Sequence, residues 1–156
     1  MFKSFRLLAL GGIALAIGMG ASGTASAQDK DKAIAERQDF MKKQIRDWIA
    51  IRNYLQGNAD QQTASAAADA LTKSVPTTPD YFPPGTAGPA PDGKYATKPE
   101  LWSEHDKFVA AVKKVGEQVA ALDAAVKSGD KPKAEAAFKD LDACNACHND
   151  FRAKLQ

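Results

Sequence analysis

Apolar residues recur every seven positions along two long stretches of this chain. Leu101, Phe108, Val115 and Leu122 form one row, and His105, Val112, Val119 and Val126 follow each of them four residues on. Ile34, Met41, Trp48 and Leu55 form a second row, companioned by Gln38, Ile45 and Arg52. A seven-residue recurrence with a companion at four places one stripe along an amphipathic helix. The spacing therefore predicts a first long helix over residues 31–56, stopped by Gly57-Asn58. A third predicted helix ends near Ser128-Gly129. It opens at Thr97-Lys98-Pro99-Glu100, which reads as a capping box with an early proline.

Two further segments fit the same architecture. Residues 60–73 predict a second, alanine-rich helix with Ala64, Ala67, Ala68 and Leu71 inward and Asn58 or Asp60 as its cap. Asp130-Lys131-Pro132 starts a fourth, carrying Phe138, Leu141, Cys144, Cys147, His148, Phe151 and Leu155. Between the second and third helices, residues 75–97 lose all periodicity, with six prolines among them. Tyr81, Phe82 and Tyr95 argue against a solvated linker there. No β signal competes. The predicted fold is all-α, an antiparallel four-helix bundle with one long crossover between its second and third helices.

The chemistry is concentrated near the C-terminus, in Cys144-Asn145-Ala146-Cys147-His148. This is the C-x-x-C-H pattern of covalent haem attachment, in which each thiol adds to one vinyl group and the adjacent imidazole ligates iron. Residues three and four apart share a helical face, so all three side chains can address one porphyrin. These are the chain's two cysteines, and His148 is one of two histidines. A structural zinc site needs about four ligands, and no second cysteine pair supplies them. A thioredoxin-type dithiol belongs after a strand. A plain disulfide would leave His148 unexplained.

The N-terminus supports the same reading. Lys3 and Arg6 precede an apolar stretch from Leu7 to Met19, and Ala25-Ser26-Ala27 reads as a cleavage site. Residues 1–27 thus predict a secretory signal peptide and 28–156 one haem-binding domain. The apolar core is shorter than the roughly 20 residues of a membrane span. Cleavage removes Lys3 and Arg6 from the 21 basic residues, which then balance the 19 acidic ones. Such a neutral chain has no excess charge to attract nucleic acid. A periplasmic, bacterial location follows, because haem is attached outside the cytoplasm.

Counting along the predicted helices places Met41 near the height of His148, to within about one turn, ~5 Å. Met41 is the single methionine left after cleavage. It can serve as a sixth ligand, or as an apolar lid over an open iron. His105 falls about five residues from that height, ~8 Å axially, and is too far for easy ligation.

With these residues assembled, the chain resembles the cytochrome c′ family, the class II c-type cytochromes, over essentially all of residues 28–156. The signs are C-x-x-C-H followed by Asn149-Asp150-Phe151-Arg152, Arg37-Gln38 ahead of Met41, Phe82-Pro83-Pro84-Gly85-Thr86 in the crossover, and Lys98-Pro99-Glu100-Leu101-Trp102. The resemblance implies a bundle with one haem c inside, attached at Cys144 and Cys147 with His148 as proximal ligand. It places Arg37 and Gln38 by the propionates, Met41 on the distal side and Arg152 beside the proximal pocket. Phe82 is counted with the haem pocket. It also implies a homodimer through the first two helices, for which Ile49 and Ile51 are the candidate contacts.

The expected function is a non-enzymatic periplasmic cytochrome with redox-active, five-coordinate iron that binds NO or CO. It would transfer electrons to a partner protein or buffer and detoxify NO. The alternative is a six-coordinate His148/Met41 electron carrier. An enzyme such as a peroxidase is disfavoured, because Met41 and Ile45 offer no polar donor on the distal side.

Overall fold

A computed structural model describes the backbone of residues 23–141 and 143–155. Most of the predicted leader, residues 1–22, lies outside the described residues. The first helix, α1 (Gly23–Leu55), begins earlier than the periodicity predicts and takes in residues 23–27 of that leader. It ends in a Schellman turn. Asn58 N–H donates to Asn53 O at 2.8 Å and Gly57 N–H to Tyr54 O at 2.9 Å, with Gly57 at φ +81°.

Helix α2 (Gln61–Ser74) is capped by Asp60, whose carboxylate accepts from Thr63 N–H at 2.7 Å. It buries Ala64, Ala67, Ala68 and Leu71, the predicted face. The chain then forms a 3₁₀ helix (Val75–Tyr81) and an antiparallel pair, β1 (Gly88–Pro89) with β2 (Tyr95–Thr97). A short helix, α3 (Glu100–Ser103), leads into the long α4 (His105–Ser128). The last strut comprises α5 (Lys131–Lys139) and α6 (Ala143–Phe151), followed by β3 (Arg152–Lys154).

The helices close a ring: α1 packs on α2, α2 on α4, α4 on α5 and α6, and α5 back on α1. The four-helix bundle stands as expected. Both heptad rows supply its centre, with Leu101 of α3 and Phe108, Val112, Val115, Val119, Leu122 and Val126 of α4 all buried. His105, at the head of the companion row, is exposed.

Several expectations need correction. The crossover is an ordered segment with strands, because Arg152–Lys154 adds to it as a third strand in the order β1-β2-β3. Pro89 has no N–H to donate and sits on the edge strand of this sheet. Thr97 does not cap the third helix: α3 has no side-chain cap, and the chain bends at Glu104 before α4. The fourth helix is divided near residue 140, where Gln118 Nε2 of α4 donates to the Asp140 carbonyl at 2.6 Å. Ile51 is fully buried and Ile49 half-buried, so Ile51 is core and not an exposed dimer contact.

Candidate haem site

Helix α6 carries Cys144, Cys147 and His148, all three half-buried. Both cysteines are free thiols. Burial raises the pKa values of both thiols. Burial, and then the charge of Arg152, pushes His148 down to about 4. Its imidazole is therefore neutral, the form that donates a lone pair to a metal. Among the described residues, no group of three or more His, Cys, Asp or Glu could by itself hold a metal ion.

The end of α6 is firmly anchored. Phe151 is buried edge-on to Phe108, with ring centres 5.7 Å apart. Lys98 N–H donates to Phe151 O at 2.9 Å. Lys98 Nζ donates to Asn149 O and Asp150 O at 3.1 Å each, placing a cation at the negative end of the helix. Lys107 bridges Glu104 and Asp150, both at 3.2 Å. Arg152 lies in β3 and not on the helical face of His148. It stacks on Tyr95 at 4.5 Å, and its charge still reaches the imidazole.

Across from α6, α1 presents a different chemistry. Trp48 stacks on Phe138 of α5 at 4.9 Å, which fixes one face of α1 toward the last strut. Ile45 and Met41 lie three and seven residues earlier on that face. Met41 is half-buried, and Ile45 is a large apolar side chain left 56% exposed. α6 packs on α4, α3 and β3 but not closely on α1. Gln38, also half-buried, lies one turn before Met41.

Arg37 is the most constrained polar residue near this face, only 5% exposed. Its Nε donates to Tyr81 O at 2.9 Å, and Nη1 donates to Thr86 O at 3.1 Å and Thr97 Oγ1 at 2.7 Å. Nη2 donates to Thr86 Oγ1. The guanidinium lies 4.4 Å from the Phe82 ring centre and 5.9 Å from that of Trp102. Phe82 in turn rests 5.1 Å from Phe108, and its carbonyl accepts from Trp102 Nε1 at 3.0 Å.

All of the oxygens around Arg37 are neutral. Burial lowers its pKa to about 10, with no carboxylate among the described residues to offset that. A guanidinium has five N–H donors, so one on Nη2 is left over. A buried cation without a counter-charge is unfavourable, and an anionic carboxylate would relieve it.

These residues fit a covalently held porphyrin. Two thiols and a neutral imidazole share one face of α6, Met41 and Ile45 offer an apolar wall on α1, and Arg37 awaits an anion. Sequence reasoning singled out those groups but missed the residues that position Arg37 and α6, namely Tyr81, Thr86, Thr97, Lys98 and Trp102. Thr86, Lys98 and Trp102 lay inside quoted motifs, and Thr97 was misread as a helix cap.

A family model for cytochrome c′ matches residues 32–152. The chain belongs to the cytochrome c′ family. It is 31% identical over 135 residues to a cytochrome c′ from Cereibacter sphaeroides, covering 83% of this chain and 89% of that one. Cytochrome c′ from Thermochromatium tepidum superposes with a TM-score of 0.71 at 26% identity, covering 80% of this chain and 96% of the other. A nitric oxide complex of a mutant cytochrome c prime from Alcaligenes xylosoxidans superposes with a TM-score of 0.69 at 27% identity, over 80% and 96% of the two chains. Proteins of the cytochrome c′ family bind a covalently attached haem c, so this chain is a c-type cytochrome.

Proposed function

We propose that this cytochrome c′ is exported to the bacterial periplasm, holds its iron through His148 alone, and binds NO or CO at the open position. Cys144 and Cys147 tether the haem, and Arg37, with Gln38 nearby, faces its propionates. The haem supplies a one-electron iron centre that exchanges electrons or takes a diatomic gas. Because His148 is held neutral, no proton has to leave before the imidazole can ligate. Met41 and Ile45 form an apolar wall that admits small uncharged molecules and carries no acid–base pair. That wall supports gas binding or electron transfer over peroxidase-like catalysis. The service would be NO buffering or detoxification, or electron transfer to a partner protein.

The observation that carries this reading is the half-buried His148 sharing one face of α6 with Cys144 and Cys147, neither of which is in a disulfide. The related nitric oxide complex is consistent with it. Among the described residues, no helix is long and apolar enough to cross a membrane.

One observation favours a second reading. Met41 is half-buried on the face of α1 that Trp48 turns toward α5, so a His148/Met41 pair would give a six-coordinate electron carrier. Optical spectra of the ferrous holoprotein with and without CO and NO separate the two. A broad high-spin Soret band that shifts with gas is expected. A sharp low-spin spectrum indifferent to CO, converted to high spin by Met41→Ala, would establish the alternative. Intact mass is expected to place the mature N-terminus at Gln28 with one haem attached.

A further inference from the structure

Two consecutive residues reach the two walls of this site. The Thr97 hydroxyl accepts from Arg37 Nη1 at 2.7 Å, on the α1 side. Lys98 holds the end of α6 through its own N–H to Phe151 O and through Nζ to Asn149 O and Asp150 O. Thr97 cannot drift, because it lies in the central strand, paired with Gly88 of β1 on one side and Arg152 of β3 on the other. Arg152 directly follows Phe151, the last residue of α6. The same short sheet thus fixes the partner of Arg37 and the residue that follows the haem-binding helix.

We propose that Thr97 is a positioning residue for the haem: its hydroxyl orients Arg37 while Lys98, next to it, fixes the end of the helix bearing His148. The proposal rests on the reading that Arg37 faces the propionates. A guanidinium with one free Nη2–H needs its other donors pinned to aim that one, and Thr97 supplies the acceptor farthest along the chain, 60 residues away. The other partners, Tyr81 and Thr86, belong to the 3₁₀ helix and the loop after it, so among the described residues Thr97 alone ties Arg37 to the sheet that continues from α6. A cation beside the haem favours the electron-rich ferrous state, so a loosened Arg37 lowers the midpoint potential.

The test uses purified holoprotein and reads midpoint potential, ferric optical spectrum and melting temperature in wild type, Arg37→Gln, Thr97→Val, Thr97→Ser and the Arg37→Gln/Thr97→Val double variant. Arg37→Gln is expected to lower the potential, Thr97→Val to lower it by a part of that amount, and Thr97→Ser to restore the wild-type value. The double variant should match Arg37→Gln alone, since both changes act through one group. A wild-type potential in Thr97→Val with only a lower melting temperature would overturn the positioning role while leaving Arg37 in place. So would shifts that simply add in the double variant. An unchanged potential in Arg37→Gln would instead sink the propionate reading, and the proposal with it. Thr97→Ala carries the same expectations should the valine variant fail to accumulate.

Discussion

Arg37 and Ile51 show how differently single residues on one helix can be read. Arg37 follows a family pattern, yet its burial is local physics: four hydrogen bonds to uncharged oxygens hold a charge that water would otherwise solvate. Ile51 was misplaced because α1 buries two faces. The heptad rows trace the face toward α5, marked by Trp48. The face toward α2 runs through Phe40, Gln44 and Ile51, with Gln44 Nε2 donating to Ser74 Oγ at 3.4 Å. Asp47 interrupts that second face with a carboxyl whose pKa burial raises, and so hides it from a count of apolar positions. Ile51 has no exposed surface at all. Ile51→Ala should therefore cost about 2–5 kcal/mol, the range for emptying a packed aliphatic site. Urea unfolding is expected to show a lower midpoint with an unchanged slope. Ile49→Ala, half-buried, should cost less than half as much in the same assay.

At the level of elements, the stops were easier to read than the interruptions. Gly57 and Gly129 end α1 and α4 as their positions in the sequence predict, since each takes a positive φ that a side chain would resist. The sheet was illegible because its strands are two and three residues long, too short for any alternation to emerge. The division between α5 and α6 was missed because it depends on Gln118 of another helix. The turn between α4 and α5 makes a concrete case. Gly129 sits at φ +73°, and a Cβ there would lie 3.5 Å from Gln61 Nε2. That amide caps the end of α4 by donating to Val126 O at 2.9 Å and Lys127 O at 3.3 Å. Gly129→Ala is thus expected to destabilise the bundle by about 1–2 kcal/mol, from left-handed strain alone. Differential scanning calorimetry should find a lower melting temperature with haem content and spectrum unchanged, because the turn contains none of the proposed haem-binding residues.

For the molecule as a whole, the site was legible where chemistry is local in sequence and illegible where it is not. Cys144, Cys147 and His148 announce themselves within five residues. The partners of Arg37 lie 44, 49 and 60 residues away and join through single hydrogen bonds that leave no periodic trace. The same contrast governs stability. α1, α2, α4 and α5 close a ring of mutual packing, whereas α6 leans on α4, α3 and β3 and not closely on α1. With nine residues, α6 is far below the length at which a helix persists in water without tertiary support. A cofactor bonded to two of its side chains and lying against Met41 and Ile45 would supply the missing wall. Replacing both thiols, Cys144→Ser with Cys147→Ser, should therefore divide the protein into two classes of stability. Amides of α2 and α4, around Ala68, Val119 and Leu122, are expected to stay protected from hydrogen exchange. Those of α6 should exchange many-fold faster than in the holoprotein, and the melting temperature should fall by at least about 10 °C, equivalent to roughly 2–3 kcal/mol in a domain of this size. Full protection of α6 in the double serine protein would mean instead that Phe151 and the Lys98 bonds suffice to order that helix, and that the haem adds chemistry to a bundle already complete.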